Sequence, residues 1–350
     1  MIYGGRSTEH GISAVSASSV IRALDPQRYE VVPIGITSDG RWLLTDVDPE
    51  SLRISERSLP QVSAGRPVVM AGDPTVEGMF HVEPDKAVDL LESVDVVFPV
   101  LHGRFGEDGT IQGLLEMAGT PYVGSGVLAS AVGMDKEFTK KLLAAEGLDV
   151  GQMVVVRRKD ADLDTAEIRA LGLPLFVKPA RAGSSLGITK VTDLDRLPDA
   201  VAFAFEHDSK VLIEAAVVGR EIECGVLEGR DGLPMASLPA EIRLSPQQDW
   251  YDFDAKYLDD ACEFDVPAVL SPELTEQVRE AACRSFTALD CAGLARVDFF
   301  VTDSSVIVNE VNTMPGFTPI SMYPRMWGAT GIEYPELVDR LIERALQRFA

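Results

Sequence analysis

The segment Val94–Leu101 reads VDVVFPVL and is apolar at all but one position. A run of this kind indicates a strand that is buried on both faces of a parallel sheet. It leads directly into His102-Gly103 and then into a helical pattern near Thr110–Ala118. Tyr29–Ile36 is a second run of the same kind, rich in β-branched residues. Because buried strands that alternate with helices are typical of open α/β sheets, the sequence predicts a doubly wound parallel-sheet domain over residues 1–123.

The first residues show a shortened version of this pattern. Only the three residues Met1–Tyr3 precede Gly4-Gly5, and a helical pattern of apolar residues then runs from Ile12 to Leu24. A doubly wound domain usually carries its first glycine loop on a strand of about five to six residues. Two explanations are open: the natural start lies upstream of Met1, or the domain tolerates a strand of three residues. We favour the first.

The pattern changes after Met134 to shorter helices and strands in mixed order. This mixed pattern of short helices and strands predicts two α+β units, over residues 124–215 and 216–350. Helices are predicted at Lys136–Ala145, about 193–206, 272–289 and 335–349, and strands at Met153–Arg157, Leu175–Pro179, Ile188–Val191, Lys210–Ala215, Glu221–Leu227, 294–301 and 306–312, with a polar aromatic loop at 248–260.

The composition argues against several classes of protein. The chain has 32 Lys and Arg against 55 Asp and Glu, a net charge of −23, so its field repels phosphate backbones and argues against a general nucleic-acid binder. Hydrophobic residues make up 46% of the chain, enough for sizeable cores. No apolar run reaches the roughly 18 residues that cross a bilayer. The four cysteines lack C-x-x-C spacing and no signal-peptide pattern opens the chain, so we expect free thiols and a cytoplasmic protein.

The strongest chemical signal lies in two predicted strands near the C-terminus. The alternation of LARVDFFV (294–301) puts Arg296 and Asp298 on one face, and VIVNEVN (306–312) puts Glu310 and Asn312 on one face. If the strands form a hairpin, all four side chains share a surface. Oxygen ligands without His or Cys suit Mg²⁺, which completes its shell with water and phosphate. The plain alternative is a solvated sheet face.

A second signal is the segment VKPARAGSSLG (177–187), in which Lys178 ends a strand and small residues follow. Backbone N–H groups in such a loop approach phosphate oxygens closely, and the lysine adds a point charge. The segment is not a Walker A loop, because the lysine precedes the glycines. Taken alone, the loop is weak evidence, and a hairpin turn is the favoured interpretation. In combination with the acidic hairpin, phosphate binding is favoured instead.

Three further positions have a functional and a plain interpretation. Glu214 ends a strand and Glu221 follows it; such carboxylates can bind a ribose hydroxyl or an adenine amino group, but alone they indicate surface charge. The loops after the first strand and after Val94–Leu101 lie where open α/β sheets bind ligands. Glu9 in the first loop can hold an ammonium group, whereas the plain interpretation of both loops is helix capping.

Seven blocks of sequence occur in a fixed order and together point to one family. The chain resembles the D-alanine–D-alanine ligases of the ATP-grasp superfamily over nearly its whole length. Val308, where Ile or Leu is usual, is a mild departure on a buried strand. The blocks are GGRSTEHGIS (4–13), HGRFGEDGTIQG (102–113), GMDKEFTK (133–140), FVKPARAGSS (176–185), YDFDAKY (251–257), ARVDFF (295–300) and NEVNTMPGFTPIS (309–321).

The resemblance implies a fold and a reaction. The α/β domain over residues 1–123 would precede a two-lobed ATP-grasp fold, with a central lobe over 124–215 and a C-terminal lobe over 216–350 that carries metal and catalytic residues. ATP and two Mg²⁺ (or Mn²⁺) ions would serve the ligation of two D-alanines to D-alanyl-D-alanine through an acyl phosphate, for peptidoglycan synthesis. The family also suggests a homodimer, without nucleic-acid or membrane partners.

The resemblance also assigns roles to residues. Glu9 would bind the ammonium group of the first substrate, and Ser321 the carboxylate of the second. Arg296 and the N–H of Gly316 would stabilise the oxyanion. Ser184 and Tyr257 would join Glu9 in a hydrogen-bonded trio that closes the 248–260 loop. Nucleotide contacts would come from Lys136, Lys178, Ser185, Glu214, Glu221 and Lys256, and metal ligands from Asp298, Glu310 and Asn312, with Glu310 shared between the ions.

Two other functions compete with this one. A D-alanine–D-lactate ligase would keep the same chemistry with another acceptor, but Tyr257 argues against it, because depsipeptide-forming relatives usually lack a tyrosine in this Asp-Ala-Lys-Tyr setting. An ATP-binding sensor with degraded catalysis is the other, and the intact set of Lys136, Lys178, Arg296, Glu310 and Asn312 argues against that. D-alanine-dependent release of ADP separates all three.

Overall fold

A computed structural model describes residues 1–46, 52, 54, 58–76, 78–81, 89–183, 186–244 and 262–350. Within these ranges the chain forms three β-sheets, of seven, four and six strands, with helices packed against them. The mixed α and β architecture predicted from the sequence is confirmed. None of the helices in the described ranges has the length and apolar character that a bilayer crossing requires.

The first sheet is only partly parallel, which corrects the predicted parallel sheet. β1 pairs in parallel with β2 and β7, whereas the pairs from β2 to β6 are all antiparallel. The turn from Thr37 to Arg41, with Gly40 at φ +94°, is too short for a crossover and forces a hairpin. The strands, in sheet order 6-5-4-3-2-1-7, are β1 (Ile2–Gly4), β2 (Ile34–Ile36), β3 (Trp42–Leu44), β4 (Arg66–Met70), β5 (Met79–His81), β6 (Asp89–Glu92) and β7 (Pro99–Val100).

The two predicted long strands are shorter in the structure. Of Tyr29–Ile36 only β2 is regular, and of Val94–Leu101 only β7 is, together with an isolated bridge at Val97. Pro33 lacks the N–H that a ladder requires, which limits regular pairing directly before β2. Both segments nevertheless supply core residues.

Helices cover both faces of the parallel part of this sheet. α1 (His10–Ala23) places Val20 in one core with Tyr3, and α2 (Thr110–Met117) places Leu115 in another core with Ile2. Because Ile2 and Tyr3 point to opposite faces, the two helices lie on opposite sides of the sheet. This arrangement brings the loops after β1 and β7 to the same edge.

The second sheet is antiparallel, in the order β10-β9-β11-β8. Its strands are β8 (Met153–Val156), β9 (Leu175–Pro179), β10 (Thr189–Val191) and β11 (Val211–Ala215). The helices of this region are α3 (Val127–Met134), α4 (Lys136–Ala145), α5 (Ala166–Ala170) and α6 (Leu197–Ala204), which follows a 3₁₀ turn at Leu194–Arg196. α4 has its predicted bounds, because the Asp135 carboxylate accepts the N–H groups of Glu137 and Phe138 and caps the first turn.

The third sheet is antiparallel, in the order β15-β14-β12-β16-β17, with β13 paired to β12. The predicted hairpin is confirmed: Asp298 lies opposite Glu310 and Arg296 lies opposite Asn312. The strands are β12 (Arg220–Glu228), β13 (Pro234–Ala236), β14 (Ala240–Leu244), β15 (Cys262–Asp265), β16 (Leu294–Val301) and β17 (Val306–Asn312), and the helices are α7 (Pro272–Ala288), α8 (Met322–Thr330) and α9 (Tyr334–Arg348).

The two ends of the chain share one core. Tyr3 and Val20 from the N-terminal region belong to the same buried cluster as Trp327 in α8 and Leu341 in α9. Arg348 adds polar ties, donating to the carbonyls of Tyr122 and Gly124. The C-terminal helices therefore hold the first sheet in a fixed place relative to the β16–β17 hairpin.

Candidate active site

Two adjoining cavities lie where the three sheets meet. The larger has a volume of 720 Å³ and is lined by the loops after β1, β7 and β17. The smaller, of 330 Å³, is lined by residues of the second and third sheets. Lys136, Ala182, Gly183, Glu223 and Glu310 line both cavities and form their common boundary.

Glu9 is a buried carboxylate in the larger cavity, with 8% of its surface exposed. It stands at the N-cap position of α1 without capping the helix through its side chain. A Cβ at Gly103 would lie 2.6 Å from Glu9 Oε2, and one at Gly183 would lie 3.1 Å away. The carboxylate therefore sits between the loops that carry these glycines, which suits the predicted contact with an ammonium group.

His102 ties the β7 loop to the segment after β17. Its Nδ1 lies 3.0 Å from the carbonyl oxygen of Met314, and its Nε2 lies 3.1 Å from Ser16 Oγ. Because a carbonyl only accepts, Nδ1–H is the donor, and Nε2 accepts from the serine hydroxyl. Burial lowers the pKa of His102, so the neutral imidazole is the form that fits.

Glu107 makes the same connection through its carboxyl group. Its Oε2 accepts the N–H of Gly103 at 2.6 Å, and its Oε1 accepts the N–H of Met314 at 3.2 Å. Burial, and then the charge of Glu9, raise the pKa of Glu107 to about 8. Glu107 lies within the HGRFGEDGTIQG block, but the family resemblance gave it no role.

The β16–β17 hairpin brings its predicted polar residues together on one face. Arg296 Nε and Nη2 donate to the two carboxylate oxygens of Asp298, each at 2.7 Å, and Asn312 Nδ2 donates to Asp298 Oδ2 at 3.0 Å. Arg296 Nε also lies 3.3 Å from Glu223 Oε1. Burial alone would lower the pKa of Arg296, but the charges of Asp298 and Glu223 outweigh burial and raise this pKa above its usual value. Glu223 was not predicted.

Lys136, the first residue of α4, stands at the boundary of the two cavities. Its Nζ lies 3.3 Å from Glu310 Oε2 and donates to the carbonyl of Ala182 at 3.0 Å. Burial alone would lower the pKa of Lys136, but Glu310 and other carboxylates outweigh this effect and raise it. The side chain is therefore cationic at neutral pH.

A buried triad in the smaller cavity joins three charged side chains. Glu214 Oε2 lies 2.8 Å from Lys178 Nζ, and its Oε1 lies 2.7 Å from Lys140 Nζ. Burial would raise the pKa of Glu214, but the two lysines outweigh it and lower it. Both oxygens of Glu214 are thus engaged by lysines. Lys140 was missed, although its position four residues after Lys136 on one helix was a usable signal.

Gly316 and Ser321 lie together on the wall of the larger cavity. Ser321 Oγ accepts the N–H of Thr318 at 3.1 Å and lies 2.7 Å from the hydroxyl of Thr318. A Cβ at Gly316 would lie 3.0 Å from Ser321 Oγ, so any larger residue at 316 would press on this hydroxyl.

The structure brings together eleven of the fifteen predicted site residues along the two cavities. Glu9, Lys136, Arg296, Glu310, Asn312, Gly316 and Ser321 line the larger cavity, and Lys136, Lys178, Glu214, Glu221, Asp298 and Glu310 line the smaller. Ser184, Ser185, Lys256 and Tyr257, with the 248–260 loop, lie outside the described residues.

The donor set of the hairpin fits a hard cation. Asp298, Glu310 and Asn312 offer carboxylate and amide oxygens, the ligands that Mg²⁺ prefers. Across the part of the chain that the structure describes, no three His, Cys, Asp or Glu side chains form a cluster able to hold a metal. A cation here would therefore complete its shell with water or phosphate oxygens, as Mg²⁺ usually does.

Known protein families and relatives match this chain over nearly its whole length. The family model described as D-ala D-ala ligase N-terminus matches residues 1–125, and the one described as D-ala D-ala ligase C-terminus matches residues 142–343. A D-alanine–D-alanine ligase of Nocardia farcinica (strain IFM 10152) is 62% identical over 352 residues, covering 99% of this chain and 96% of the relative.

Solved structures agree with the sequence matches. The VanG D-Ala:D-Ser ligase of Enterococcus faecalis is 37% identical, with a TM-score of 0.84 and 98% of each chain covered. A D-alanine–D-alanine ligase of Bacillus anthracis complexed with ATP is 31% identical, with a TM-score of 0.73, covering 99% of this chain and 97% of that one. On these matches, and with the site geometry described above, the chain belongs to the D-alanine–D-alanine ligase family.

Proposed function

We propose that this protein joins two D-alanine molecules to D-alanyl-D-alanine with the conversion of ATP to ADP and phosphate, for peptidoglycan synthesis. Both family models and full-length relatives support this activity. The observation that carries it is the common boundary of the two cavities, where Lys136 and Glu310 stand. A nucleotide in one cavity can there meet an amino acid in the other.

The smaller cavity is the proposed nucleotide site. Lys178 and Lys136 would screen the phosphates, so that the anionic carboxylate of the first D-alanine can approach the γ-phosphate. The sequence resemblance adds Lys256 and Ser185 to this set, and gives Glu214 and Glu221 to the adenine or ribose. Both carboxylate oxygens of Glu214 contact lysines. We therefore propose that Glu214 also holds Lys178 and Lys140 in place.

Asp298, Glu310 and Asn312 are the proposed holders of two Mg²⁺ or Mn²⁺ ions, with Glu310 shared. Such ions supply charge neutralisation for phosphate oxygens. In this arrangement the Lys136–Glu310 pair, at the cavity boundary, joins the lysines that would face the nucleotide to the carboxylates that would hold the metals.

The larger cavity is the proposed amino-acid site. Glu9 would hold the ammonium of the first D-alanine, whose carboxylate oxygen attacks the γ-phosphorus to give an acyl phosphate and ADP. The amine of the second D-alanine, with its carboxylate at Ser321, then attacks the acyl carbon. Arg296 and the Gly316 N–H would stabilise the oxyanion, and phosphate leaves as the peptide carbonyl reforms.

Loop closure is the proposed means of excluding water from the acyl phosphate. The resemblance assigns this to the 248–260 loop, with Ser184 and Tyr257 bonded to Glu9. Gly183 next to Ser184 lies against the Glu9 carboxylate, which supports that arrangement. Hydrolysis of the intermediate in an open state would waste ATP.

The domain division follows from the same resemblance. We propose a substrate domain over 1–123 and two ATP-grasp lobes over 124–215 and 216–350, supported by one sheet lying within each range. We also propose a homodimer and a cytoplasmic location. The thiols of Cys224, Cys283 and Cys291 are free, which suits a reducing compartment.

The acceptor is the point on which a second candidate function rests. The Enterococcus faecalis neighbour is a D-Ala:D-Ser ligase, so D-serine is a competing acceptor here. D-lactate is a third, against which Tyr257 argues. The first D-alanine and its activation are common to all three candidates.

The test is ADP release in a coupled assay with ATP, Mg²⁺ and each acceptor in turn, with the product identified by mass spectrometry. We expect release that depends on D-alanine, with D-alanyl-D-alanine as the main product. Lys178→Met should abolish it, because a phosphate-facing ammonium is lost, while Lys159→Met at an exposed site should not. A protein that binds ATP but turns over none of the acceptors would refute the proposal in favour of a sensor.

A further inference from the structure

Strand β12 carries a buried carboxylate, Glu223, to which the family resemblance assigned no role. Its side chain lines both cavities, and 4% of its surface is exposed. A buried carboxylate requires a partner of opposite charge, because an unpaired one costs several kcal/mol. Arg296 is such a partner, with Nε 3.3 Å from Glu223 Oε1.

The sheet register fixes where this carboxylate points. Glu223 lies directly opposite Asp298 on β16, and Asp298 lies directly opposite Glu310 on β17. Residues opposite each other in antiparallel strands project from the same face. Glu223 therefore extends the row of proposed metal ligands by one strand, on the side away from Glu310.

Arg296 stands beside two carboxylates of this row. Both oxygens of Asp298 accept from its guanidinium at 2.7 Å, and the contact with Glu223 is the longer one. Asp298 is also a proposed metal ligand, so its oxygens cannot serve the guanidinium fully when they serve a cation. Glu223 is outside the predicted ligand set and remains a counter-charge for Arg296.

We propose that Glu223 is a positioning residue that holds the Arg296 guanidinium on the wall of the larger cavity, where the oxyanion of the tetrahedral intermediate forms. This inference rests on the proposed function. Without Glu223, Asp298 draws Arg296 towards the metal ligands and away from the oxyanion. The loss then falls on the chemical step, because the nucleotide contacts of Lys178 and Lys136 are unchanged.

The test is a double-mutant cycle of Glu223→Gln and Arg296→Lys, measured by D-alanine-dependent ADP release. We expect Glu223→Gln to lower kcat by about 10- to 100-fold, below or near the effect of removing an oxyanion donor. KM for ATP should stay within about threefold. In the Arg296→Lys background the same change should lower kcat by no more than about threefold, because the guanidinium that Glu223 positions is gone.

Glu241→Gln is the matched control. Glu241 lies on the neighbouring strand β14, is buried, and pairs with Arg220 at 2.8 Å, but it lines neither of the two cavities. It reports what the loss of a buried carboxylate–arginine pair in this sheet does to stability alone. Its kcat should match the wild type at a temperature where the protein is folded.

Mn²⁺ binding to the nucleotide complex, followed by electron paramagnetic resonance, gives a readout besides activity. Positioning predicts that Glu223→Gln leaves the Mn²⁺ affinity within about threefold of wild type; a tenfold loss would make Glu223 a metal ligand and overturn the inference. Independent, multiplicative effects in the cycle, or an unchanged kcat, would also overturn it. If Glu223→Gln does not fold, Glu223→Asp replaces it. This variant should also lower kcat in the wild-type background and should have little effect in the Arg296→Lys background. A wild-type protein without D-alanine-dependent turnover would instead refute the proposed function.

Discussion

Replacing Lys210 by methionine should destabilise the second sheet and weaken nucleotide use. Lys210 precedes β11 and is 7% exposed. Its Nζ lies 2.7 and 2.5 Å from the two oxygens of Asp135 and 2.9 Å from Glu137 Oε2. It also stands 4.7 Å from the ring centre of Phe138. One buried ammonium thus serves both carboxylates that flank Lys136 in sequence.

The magnitude follows from what the substitution leaves behind. Removing one partner of a buried ion pair costs about 3–5 kcal/mol, because the other charge stays buried. Glu137 keeps Lys141 at 2.6 Å and Arg157 at 2.7 Å, so most of the cost falls on Asp135, whose other cationic neighbour, Arg181, is 4.0 Å away. We therefore expect the lower end, about 3 kcal/mol.

The activity should change in a specific way. The backbone N–H of Lys136 donates to the carbonyl of Ala180, and the N–H of Ala180 donates to the carbonyl of Lys210. Loss of the Lys210 side chain loosens the start of α4 and with it the ammonium of Lys136. KM for ATP should rise by more than KM for D-alanine, because Glu9 and Ser321 are not involved.

Urea unfolding and steady-state kinetics check this prediction together. Lys190→Met is the control, an exposed lysine on β10 of the same sheet, and it should leave both stability and KM unchanged. A Lys210→Met protein with the unfolding midpoint of wild type would refute the reasoning, since the buried carboxylates would then not depend on this cation. Equal rises in both KM values would refute the link to Lys136.

Three further predictions concern the metals, the acceptor and acid stability. Glu310→Gln should lower turnover by orders of magnitude with little unfolding, and near-normal turnover at saturating Mg²⁺ would remove its assignment as the shared ligand. Tyr257→Phe should raise the use of D-lactate relative to D-alanine at pH 6–7 when both are present, and an unchanged product ratio would show that the hydroxyl does not set this preference. Burial would raise the pKa of Glu137, but Lys141, Lys210 and Arg157 outweigh it and lower this pKa from 4.5 to about 2. The ionised side chain therefore contributes its full stabilisation when the pH is above the pKa of the unfolded state. This stabilisation is lost as the pH falls from about 4.5 to 2. Glu137→Gln should therefore be less stable than wild type at neutral pH and nearly equal to it at pH 2 in urea titrations; a constant difference across this range would contradict the pairing.

The β16–β17 hairpin shows what the sequence could predict. Arg296 and Asp298 are two residues apart, as are Glu310 and Asn312, so their shared polar face follows from the two-residue period of a strand. The register shift between Asp298 and Phe299 could not be predicted in this way. α4 was equally clear, because Asp135 gives it a capping residue. In both cases the features that decide the structure lie within a few residues of one another, so they can be recognised from the sequence.

Other features depend on contacts between distant segments and were missed. The antiparallel β2–β6 arrangement depends on pairing that the weak, Pro- and Gly-containing stretch from 46 to 85 does not encode locally. Glu223 acquires significance only when β12 pairs with β16. Glu107 does so only when its loop meets Met314, more than two hundred residues away. Spacing along the chain carries no information about such neighbours.

The fate of the carboxylate oxygens of D-alanine tests the central claim, activation of the first substrate as an acyl phosphate. The enzyme is given D-alanine labelled with ¹⁸O at both carboxylate oxygens, in unlabelled water with unlabelled ATP, and the released phosphate is analysed by mass spectrometry. If a carboxylate oxygen attacks the γ-phosphorus and the C–O bond of the acyl phosphate then breaks, each phosphate carries one ¹⁸O and the new peptide carbonyl keeps the other. Phosphate without label, released together with D-alanyl-D-alanine, would contradict the account.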